Sequence, residues 1–383
     1  MHTLKIAWFG SSLVSAYWNG AATYYRGMVK ALADLGHHIE FFEPDAFGRQ
    51  AHRDLPDPPW ARVTVYEPTE AAAARCLVQA ARADVVVKSS GVGVLDAFLE
   101  REIVQLARRG RRTVFWDVDA PATLARLRRD PGDPLRALIP AFSRVLTYGG
   151  GPPVIAAYEA LGARSCVPVY NALDPETHYP VPACPEFSAA LGFLGNRLPD
   201  RDHRVERFFF EAVRRMPEHR FLLGGSGWED RADLPPNLSV LGHVYTEDHN
   251  AFNSSPLAVL NLCRDSMAEN GWSPATRVFE AAGAGACIIS DDWAGIEDFL
   301  EPGREVLVAK DGADLVRVLA GLTPARARRI GAAARGRVLE AHTYARRARE
   351  VETLLLDDLY PDRAGRVANS APRAGLAAAQ GRV

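Results

Sequence analysis

Residues 4–42 read LKIAWFGSSLVSAYWNGAATYYRGMVKALADLGHHIEFF, and this stretch decides the predicted fold. It opens with a run of six residues that are apolar apart from one lysine, and Gly10 ends the run, as expected for a short buried strand. Apolar residues then recur at helical spacing over 24–35, Gly36 follows as a helix stop, and a second apolar run begins at Ile39. A strand, a helix and a strand in this order predict a βαβ unit with parallel strands.

The same alternation continues to about residue 170, is interrupted by a proline-rich stretch, and then starts again. We therefore predict an α/β protein with two doubly wound parallel-sheet domains that face each other across a cleft, over 1–172 and 189–342. A Pro-rich linker, 173–188, joins them. The tail, 361–383, has few large apolar residues and is predicted to be disordered. The other predicted strands are 84–88, 113–116, 144–148, 166–169, 191–194, 220–223, 239–241, 258–262, 286–290 and 306–308.

The composition excludes several classes of protein. With 45 basic and 47 acidic residues among 383, the net charge is −2, which is not typical of a protein that binds nucleic acid or a membrane surface. Five scattered cysteines without a CxxC motif predict neither a disulfide framework nor a zinc site. No signal peptide and no transmembrane segment is predicted. We therefore expect a cytoplasmic protein.

Residues 270–290, NGWSPATRVFEAAGAGACIIS, form the strongest local motif. They predict a loop, a short helix that begins between Ser273 and Thr276, and a buried strand. Free N–H groups at the start of a helix favour an anion, and Arg277 adds a cation whose geometry suits phosphate. Glu280, about one turn further on, can accept hydrogen bonds from sugar hydroxyls. A capped surface helix with an Arg277–Glu280 ion pair explains the same residues equally well.

This motif resembles the donor-binding segment of GT-B glycosyltransferases, in particular the CgeB-like (spore maturation protein-like) group. In pattern, the resemblance covers residues 4–358. It implies a metal-independent, hexosyltransferase-type enzyme of GT-B architecture that moves a sugar from a nucleoside diphosphate-sugar to a hydroxyl acceptor. It also implies that a C-terminal helix, 343–360, crosses back to the N-terminal domain. Related retaining enzymes carry a glutamate eight positions before the residue matching Glu280; here that position is Trp272, so the stereochemistry stays open.

A second segment, GNRLPDRDHR at 195–204, follows a predicted strand. It resembles the segment with which the same superfamily holds the donor diphosphate through an arginine and a lysine. The resemblance implies that Arg197 is the first cation and that Arg204 or Arg201 replaces the lysine; we select Arg204. Such cations stabilise the charge that grows on the leaving diphosphate. The alternative is a solvated, arginine-rich helix start.

Three glycine-containing loops complete the predicted donor site, although each is also typical of a simple turn. GGSGW at 224–228 and LGHVY at 241–245 resemble the loops that hold the nucleoside base, and the resemblance implies base contacts from the backbone of two loop residues, His243 and Val244. The segment that begins at Gly10 resembles the loop beneath the transferred sugar. The predicted donor-binding residues are Gly10, Ser11, Arg197, Arg204, Gly225, His243, Val244, Ser273, Thr276, Arg277 and Glu280.

Two carboxylates, Asp117 and Asp119, directly follow the predicted strand 113–116, so the sheet aims them at the cleft. A base that deprotonates the acceptor hydroxyl must lie within hydrogen-bond reach of it. We predict Asp119 as this base and Asp117 as the second choice, because two neighbouring carboxylates can raise one pKa. Asp119 ahead of Ala120-Pro121 also fits a helix cap.

The expected partners are a nucleoside diphosphate-sugar and an acceptor that is a glycan, a lipid or a protein, without nucleic acid. No cofactor and no metal is expected. A UDP-sugar epimerase of the same fold and a non-catalytic sugar-nucleotide-binding protein are the alternatives. A Rossmann-type oxidoreductase ranks last, because no GxGxxG fingerprint follows the first strand.

Overall fold

A computed structural model describes residues 2–17 and 19–360, so the predicted tail, 361–383, lies outside the described residues. The N-terminal part forms a seven-stranded parallel sheet in the order β3-β2-β1-β4-β5-β6-β7. Its strands are β1 (Lys5–Phe9), β2 (His38–Pro44), β3 (Arg62–Tyr66), β4 (Val85–Ser89), β5 (Arg112–Asp117), β6 (Arg144–Thr147) and β7 (Cys166–Pro168). Its helices are α1 (Ala22–Asp34), α2 (Glu70–Ala80), α3 (Asp96–Arg108), α4 (Ala120–Arg129), α5 (Pro134–Leu138) and α6 (Pro152–Ala160).

The C-terminal part repeats this plan with a six-stranded parallel sheet in the order β10-β9-β8-β11-β12-β13. Its strands are β8 (Leu191–Leu194), β9 (Phe221–Gly224), β10 (Leu238–Gly242), β11 (Ala258–Asn261), β12 (Ile288–Asp291) and β13 (Leu307–Ala309). Its helices are α7 (Asp202–Val205), which continues through a π-helical turn (Glu206–Phe210) into α8 (Glu211–Arg215), then α9 (His249–Ser254), α10 (Asp265–Asn270), α11 (Thr276–Gly283), α12 (Gly312–Ala320), α13 (Pro324–Ala341) and α14 (Tyr344–Leu359). The predicted α/β class with two doubly wound parallel sheets is confirmed.

Both strand orders reverse direction at one point, between β1 and β4 in the first sheet and between β8 and β11 in the second. Open α/β sheets bind ligands in the crevice at the carboxyl ends of these strands. The fold therefore offers two such crevices, one in each sheet. No helix among the described residues is both long enough and apolar enough to cross a membrane.

The last helix, α14, packs on α1 rather than on its own half of the chain. Tyr344, Val351 and Leu355 of α14 are buried in the same apolar cluster as Trp8 of β1. The approach is close at Gly27 of α1, where a Cβ would come within 2.3 Å of the Tyr344 ring. A residue with a side chain at that position would push the two helices apart.

Candidate active site

The two halves contact each other through loops that follow their strands. Gly150 donates a backbone hydrogen bond to the Trp272 carbonyl at 2.8 Å, and the Asn171 amide donates to the Pro274 carbonyl at 3.1 Å. A small cavity lies between the halves close to these contacts. It is lined by Asp119, Pro121, Tyr148, Gly149, Met267, Ser273 and Pro274.

Arg277 lies at the crevice of the second sheet. Its Nε donates to the carbonyl of Leu194 at the end of β8, and its Nη1 donates to the Asn261 side chain at the end of β11, at 3.1 Å. The guanidinium also lies over the Phe193 ring, 5.2 Å from its centroid. Burial lowers the pKa of Arg277. The side chain therefore spans the two strands at which the strand order reverses.

A second arginine, Arg201, lies beside Arg277. It is 6% exposed, and its guanidinium lies 5.4 Å from the centroid of the same Phe193 ring. A Cβ built on Gly195 would lie 2.8 Å from an Nη2 of each arginine, so both guanidinium groups converge on that glycine. Burial and the neighbouring Arg277 lower the pKa of Arg201 to about 9. Neither arginine forms a salt bridge with any residue that the structure describes.

The other two arginines predicted for the diphosphate are held by carboxylates. Arg204 donates to the buried Asp291 at 2.7 Å, and its other terminal nitrogen lies 3.6 Å from Asp265. Arg197 is partly exposed and pairs with Asp202 at 2.9 Å through two hydrogen bonds. Arg204 thus points to the end of β12 instead of to Gly195. Arg201, one helical turn earlier, occupies the position predicted for Arg204.

The glycine loops after β8, β9 and β10 are bonded to one another. Gly195 donates to the Gly224 carbonyl at 2.8 Å, and Gly225 donates to the Gly242 carbonyl at 2.6 Å. Gly225 has a φ of +117°, and a Cβ there would lie 2.4 Å from the Gly195 carbonyl. The loop after β9 passes directly over the backbone of the loop after β8, so a residue with a side chain does not fit at Gly225.

The predicted base contacts lie in the loop after β10. Val244 is buried, and a Cβ built on Gly224 would lie 2.8 Å from its side chain. His243 is exposed and meets the Tyr245 ring edge-on, with centroids 4.7 Å apart. The imidazole of His243 thus faces an aromatic neighbour on the surface.

The start of α11 is tied to the junction of the two halves. Ser273 donates to the Gly271 carbonyl at 2.9 Å, and Thr276 donates to the Asn171 side chain at 3.2 Å. Ala275 occupies the N-cap position and provides no side-chain cap. The first N–H groups of this helix therefore keep their capacity to bind an anion.

Asp117 and Asp119 occupy different environments. Asp117 is fully buried, and one of its oxygens accepts hydrogen bonds from Ser90 at 2.6 Å and from Thr123 at 3.0 Å. The hydroxyl of Tyr158 donates to the other oxygen. Burial raises the pKa of Asp117. With both oxygens engaged, Asp117 holds the β5–α4 loop in place and does not face the cleft.

Asp119 lines the cavity between the halves, and its side chain is 37% exposed. It caps no N–H of α4 through its side chain. Instead it lies 3.2 Å from Arg264, whose Nε also donates to Asp200 at 2.5 Å. Arg264 thus bridges a carboxylate of each half across the cleft.

Of the remaining predicted residues, Glu280 lies near Arg277, and Gly10 and Ser11 lie in the first half of the chain. Gly10 leaves no room for a side chain, because a Cβ would lie 2.4 Å from the Phe41 ring, and Ser11 donates to Asn19 within its own loop at 2.9 Å. Glu280 is largely buried and lies 3.9 Å from a nitrogen of His178. Sequence reasoning did not place Arg264 or His178 at the site. A search for charged residues after each strand would have found Arg264, which follows β11.

The comparisons with known proteins agree with this architecture. Sucrose-phosphate synthase from Thermosynechococcus elongatus superposes with a TM-score of 0.68 at 14% identity, covering 95% of this chain and 100% of that chain. HepE from Anabaena in complex with UDP-glucose superposes with a TM-score of 0.63 at 15% identity, covering 92% and 99%. AviGT4, a glycosyltransferase of avilamycin A biosynthesis, gives 0.59 at 17% identity, covering 94% and 98%. The chain therefore has the GT-B fold.

At the level of sequence, a family described as "Glycosyl transferase-like" matches residues 201–353. This segment contains both buried arginines and most of the second sheet. A search of curated proteins found no match.

Proposed function

We propose that the protein is a glycosyltransferase that moves a sugar from a nucleoside diphosphate-sugar to a hydroxyl acceptor. The observation that carries this proposal is the pair formed by Arg201 and Arg277 at the crevice of the second sheet. Two buried like charges without a carboxylate partner destabilise the free protein, because each has lost its hydration. A diphosphate supplies the missing negative charge and the hydrogen-bond acceptors for both guanidinium groups.

In this proposal the arginine pair acts mainly on the leaving group. When the bond between the sugar and the diphosphate breaks, negative charge grows on the diphosphate oxygens. Arg201, Arg277 and the N–H groups at the start of α11 stabilise that charge and so lower the barrier. We assign this role to Arg201 instead of Arg204, because Asp291 already neutralises Arg204. Arg197 remains a candidate if it exchanges Asp202 for a phosphate.

The other proposed roles follow the positions of the residues in the cleft. Asp119 accepts the proton of the acceptor hydroxyl, and contact with Arg264 orients its carboxylate. Glu280 holds hydroxyls of the ribose or the sugar, and the backbone of His243 and Val244 contacts the base. The loop at Gly10 and Ser11 lies beneath the transferred sugar.

UDP-sugars are the first donors to test, because the structure of HepE contains UDP-glucose. We further propose a CgeB-like, hexosyltransferase-type enzyme that works in the cytoplasm and needs no metal for transfer. The acceptor class stays open among glycans, lipids and proteins, and so does the choice between retention and inversion.

The first experiment measures the binding of UDP, GDP, ADP and their sugars by thermal shift and calorimetry. We expect one nucleoside diphosphate to stabilise the wild-type protein and Arg277→Lys to weaken that effect, since a lysine cannot span Leu194 and Asn261. Arg214→Lys, an exposed arginine paired with Glu206, is the matched control. The absence of stabilisation by every nucleotide would count against the proposal.

A second experiment separates the transferase from its alternatives. With the donor that binds, a transferase releases the nucleoside diphosphate in proportion to glycosylated acceptor. Conversion of the donor alone to an epimer would indicate an epimerase. Binding without either reaction, across a panel of glycan, lipid and protein acceptors, would indicate a non-catalytic binding protein.

A further inference from the structure

Two imidazoles and a carboxylate meet beside α11. His178 lies in the proline-rich segment between the sheets, His249 begins α9, and Glu280 lies on α11. One ligand atom from each residue lies within 4.8 Å of the other two. Nε2 of His178 lies 3.9 Å from an oxygen of Glu280. Three separate parts of the chain thus bring metal-binding side chains to one place.

The hydrogen bonds around His178 decide which of its nitrogens carries the proton. The Thr177 hydroxyl donates to the Asp174 carbonyl at 3.1 Å, and the same oxygen lies 2.9 Å from Nδ1 of His178. Because the hydroxyl has only one hydrogen, Nδ1 must be the donor to it. In the neutral ring, Nε2 then holds a lone pair, and that lone pair faces the carboxylate of Glu280.

The imidazole of His249, at the start of α9, also has a nitrogen without a hydrogen-bond partner among the described residues. Its Nδ1 is buried and has no hydrogen-bond partner among the described residues, as is also true of Nε2 of His178. The Val244 backbone lies within interaction range of the His249 ring. Buried polar atoms normally have partners. His178, which is 4% exposed, therefore aims an unpartnered nitrogen at a second one and at a carboxylate.

We propose that His178 Nε2, His249 Nδ1 and the Glu280 carboxylate bind one transition-metal dication, with Zn²⁺ as the occupant. Two lone pairs that face a carboxylate repel each other unless a cation lies between them. Two imidazoles and one carboxylate form a known set of three zinc ligands, with a fourth position open. Bonds of about 2.0–2.1 Å in a tetrahedral site place ligand atoms roughly 3.3 Å apart, so rotamer shifts of under an ångström close the site.

The hydrogen bond from His178 to Thr177 has the role of an outer partner in such a site, because it fixes the tautomer and the orientation of the ring. The bound ion would hold the segment around His178 against α9 and α11. This inference shares Glu280 with the proposed donor site, and a bound ion would leave at most one Glu280 oxygen for donor hydroxyls. It concerns a structural ion, and the proposed transfer step needs no metal.

The test is metal binding to the full chain after treatment with a chelator and in the absence of nucleotide. Co²⁺ serves as a spectroscopic probe, because a tetrahedral site gives it strong visible absorption, and Zn²⁺ then displaces it. We expect one equivalent to bind to the wild-type protein. His178→Phe, which keeps the ring volume, and Glu280→Gln should each weaken the affinity at least about 100-fold, more than the loss of an outer partner does.

His203→Phe is the matched control, because His203 is an exposed histidine next to Asp265 and lies outside the cluster. Circular dichroism checks that each variant is folded. The proposal is overturned if wild-type protein binds no stoichiometric metal, or if the His178 and Glu280 variants bind it as tightly as the control does. Nucleotide binding to the wild-type protein and to His178→Phe distinguishes this failure from a failure of the transferase proposal, because Glu280 also belongs to the proposed donor site.

Discussion

The two sheets share one strand order but differ in charge at the crevice where that order reverses. In the first sheet, the buried Lys88 at the end of β4 pairs with Asp96 at 2.7 Å and lies 3.9 Å from Glu100. In the second sheet, Arg201 and Arg277 lie together at the ends of β8 and β11, and no described residue forms a salt bridge with either. The topology creates both crevices, but only the second has an excess of positive charge.

In the first crevice the protein's own carboxylates neutralise the cation, whereas in the second crevice the cations are available to a ligand. The first crevice satisfies its own cation, so its charge contributes to the stability of the fold. The second keeps two desolvated cations that form no salt bridge with the described residues, so its charge favours an anion. Four changes test this contrast, in order of decreasing expected effect.

The largest effect is expected at Asp119, which the first half contributes to the cleft. Asp119→Asn should lower turnover by about 10²- to 10⁴-fold, as for the loss of a general base, and should leave nucleotide affinity within about threefold. Steady-state kinetics and calorimetry measure the two quantities. Asp34→Asn, an exposed carboxylate at the end of α1, is the control. Equal turnover of the two variants would remove Asp119 from the mechanism.

Lys88→Met tests the self-neutralised crevice. The substitution leaves the nearly buried Glu100 and the one-third-exposed Asp96 without their cation, so the free energy of unfolding should fall by about 3 kcal/mol. Urea denaturation measures it. Lys30→Met, in which a more exposed lysine loses Glu176, should lower the free energy of unfolding far less, because solvent screens this pair. If both substitutions cost the same, the Lys88 group contributes no more than a surface ion pair.

Arg201→Met tests the anion crevice and should have the opposite effect on the free protein. Removal of one of two adjacent buried cations should raise the free energy of unfolding by about 1 kcal/mol and weaken diphosphate binding roughly 30- to 100-fold. Arg204→Met, on the same helix, should instead lower stability by about 3 kcal/mol, because Asp291 stays buried without its partner. If both variants, or neither, raise the free energy of unfolding, the assignment of Arg201 to the anion and of Arg204 to Asp291 is wrong.

The smallest effect is a dependence on pH. Because burial lowers the pKa of Arg201 to about 9, the guanidinium is charged below that pH and loses its proton above it. Diphosphate affinity should be level to about pH 8 and then fall by at most tenfold per pH unit above 9. Calorimetry with a ligand of constant charge measures this. Arg201→Met should bind the diphosphate more weakly, with an affinity that does not change over this pH range. If the affinity of the wild-type protein also stays constant above pH 9, titration of Arg201 does not contribute to binding.

The sequence predicted the architecture well, because apolar runs bounded by glycines mark buried parallel strands. It did not predict β3, Arg62–Tyr66, since this edge strand has a half-exposed, alternating pattern instead of a continuous apolar run. The sequence also did not show which residues pair with each other over long distances along the chain. Arg201 and Arg204 lie one helical turn apart, and only the partner of Arg204, Asp291, distinguishes them.

The packing of α14 against α1 bears on how the chain matures during synthesis. The apolar cluster around Trp8 includes Tyr344 and Val351, so this cluster is complete only after α14 has been synthesised. Deletion of residues 344–360 would accordingly harm the domain of the first sheet, although the deleted helix follows the second sheet in the chain. The first half therefore completes its core with a helix that follows the second half.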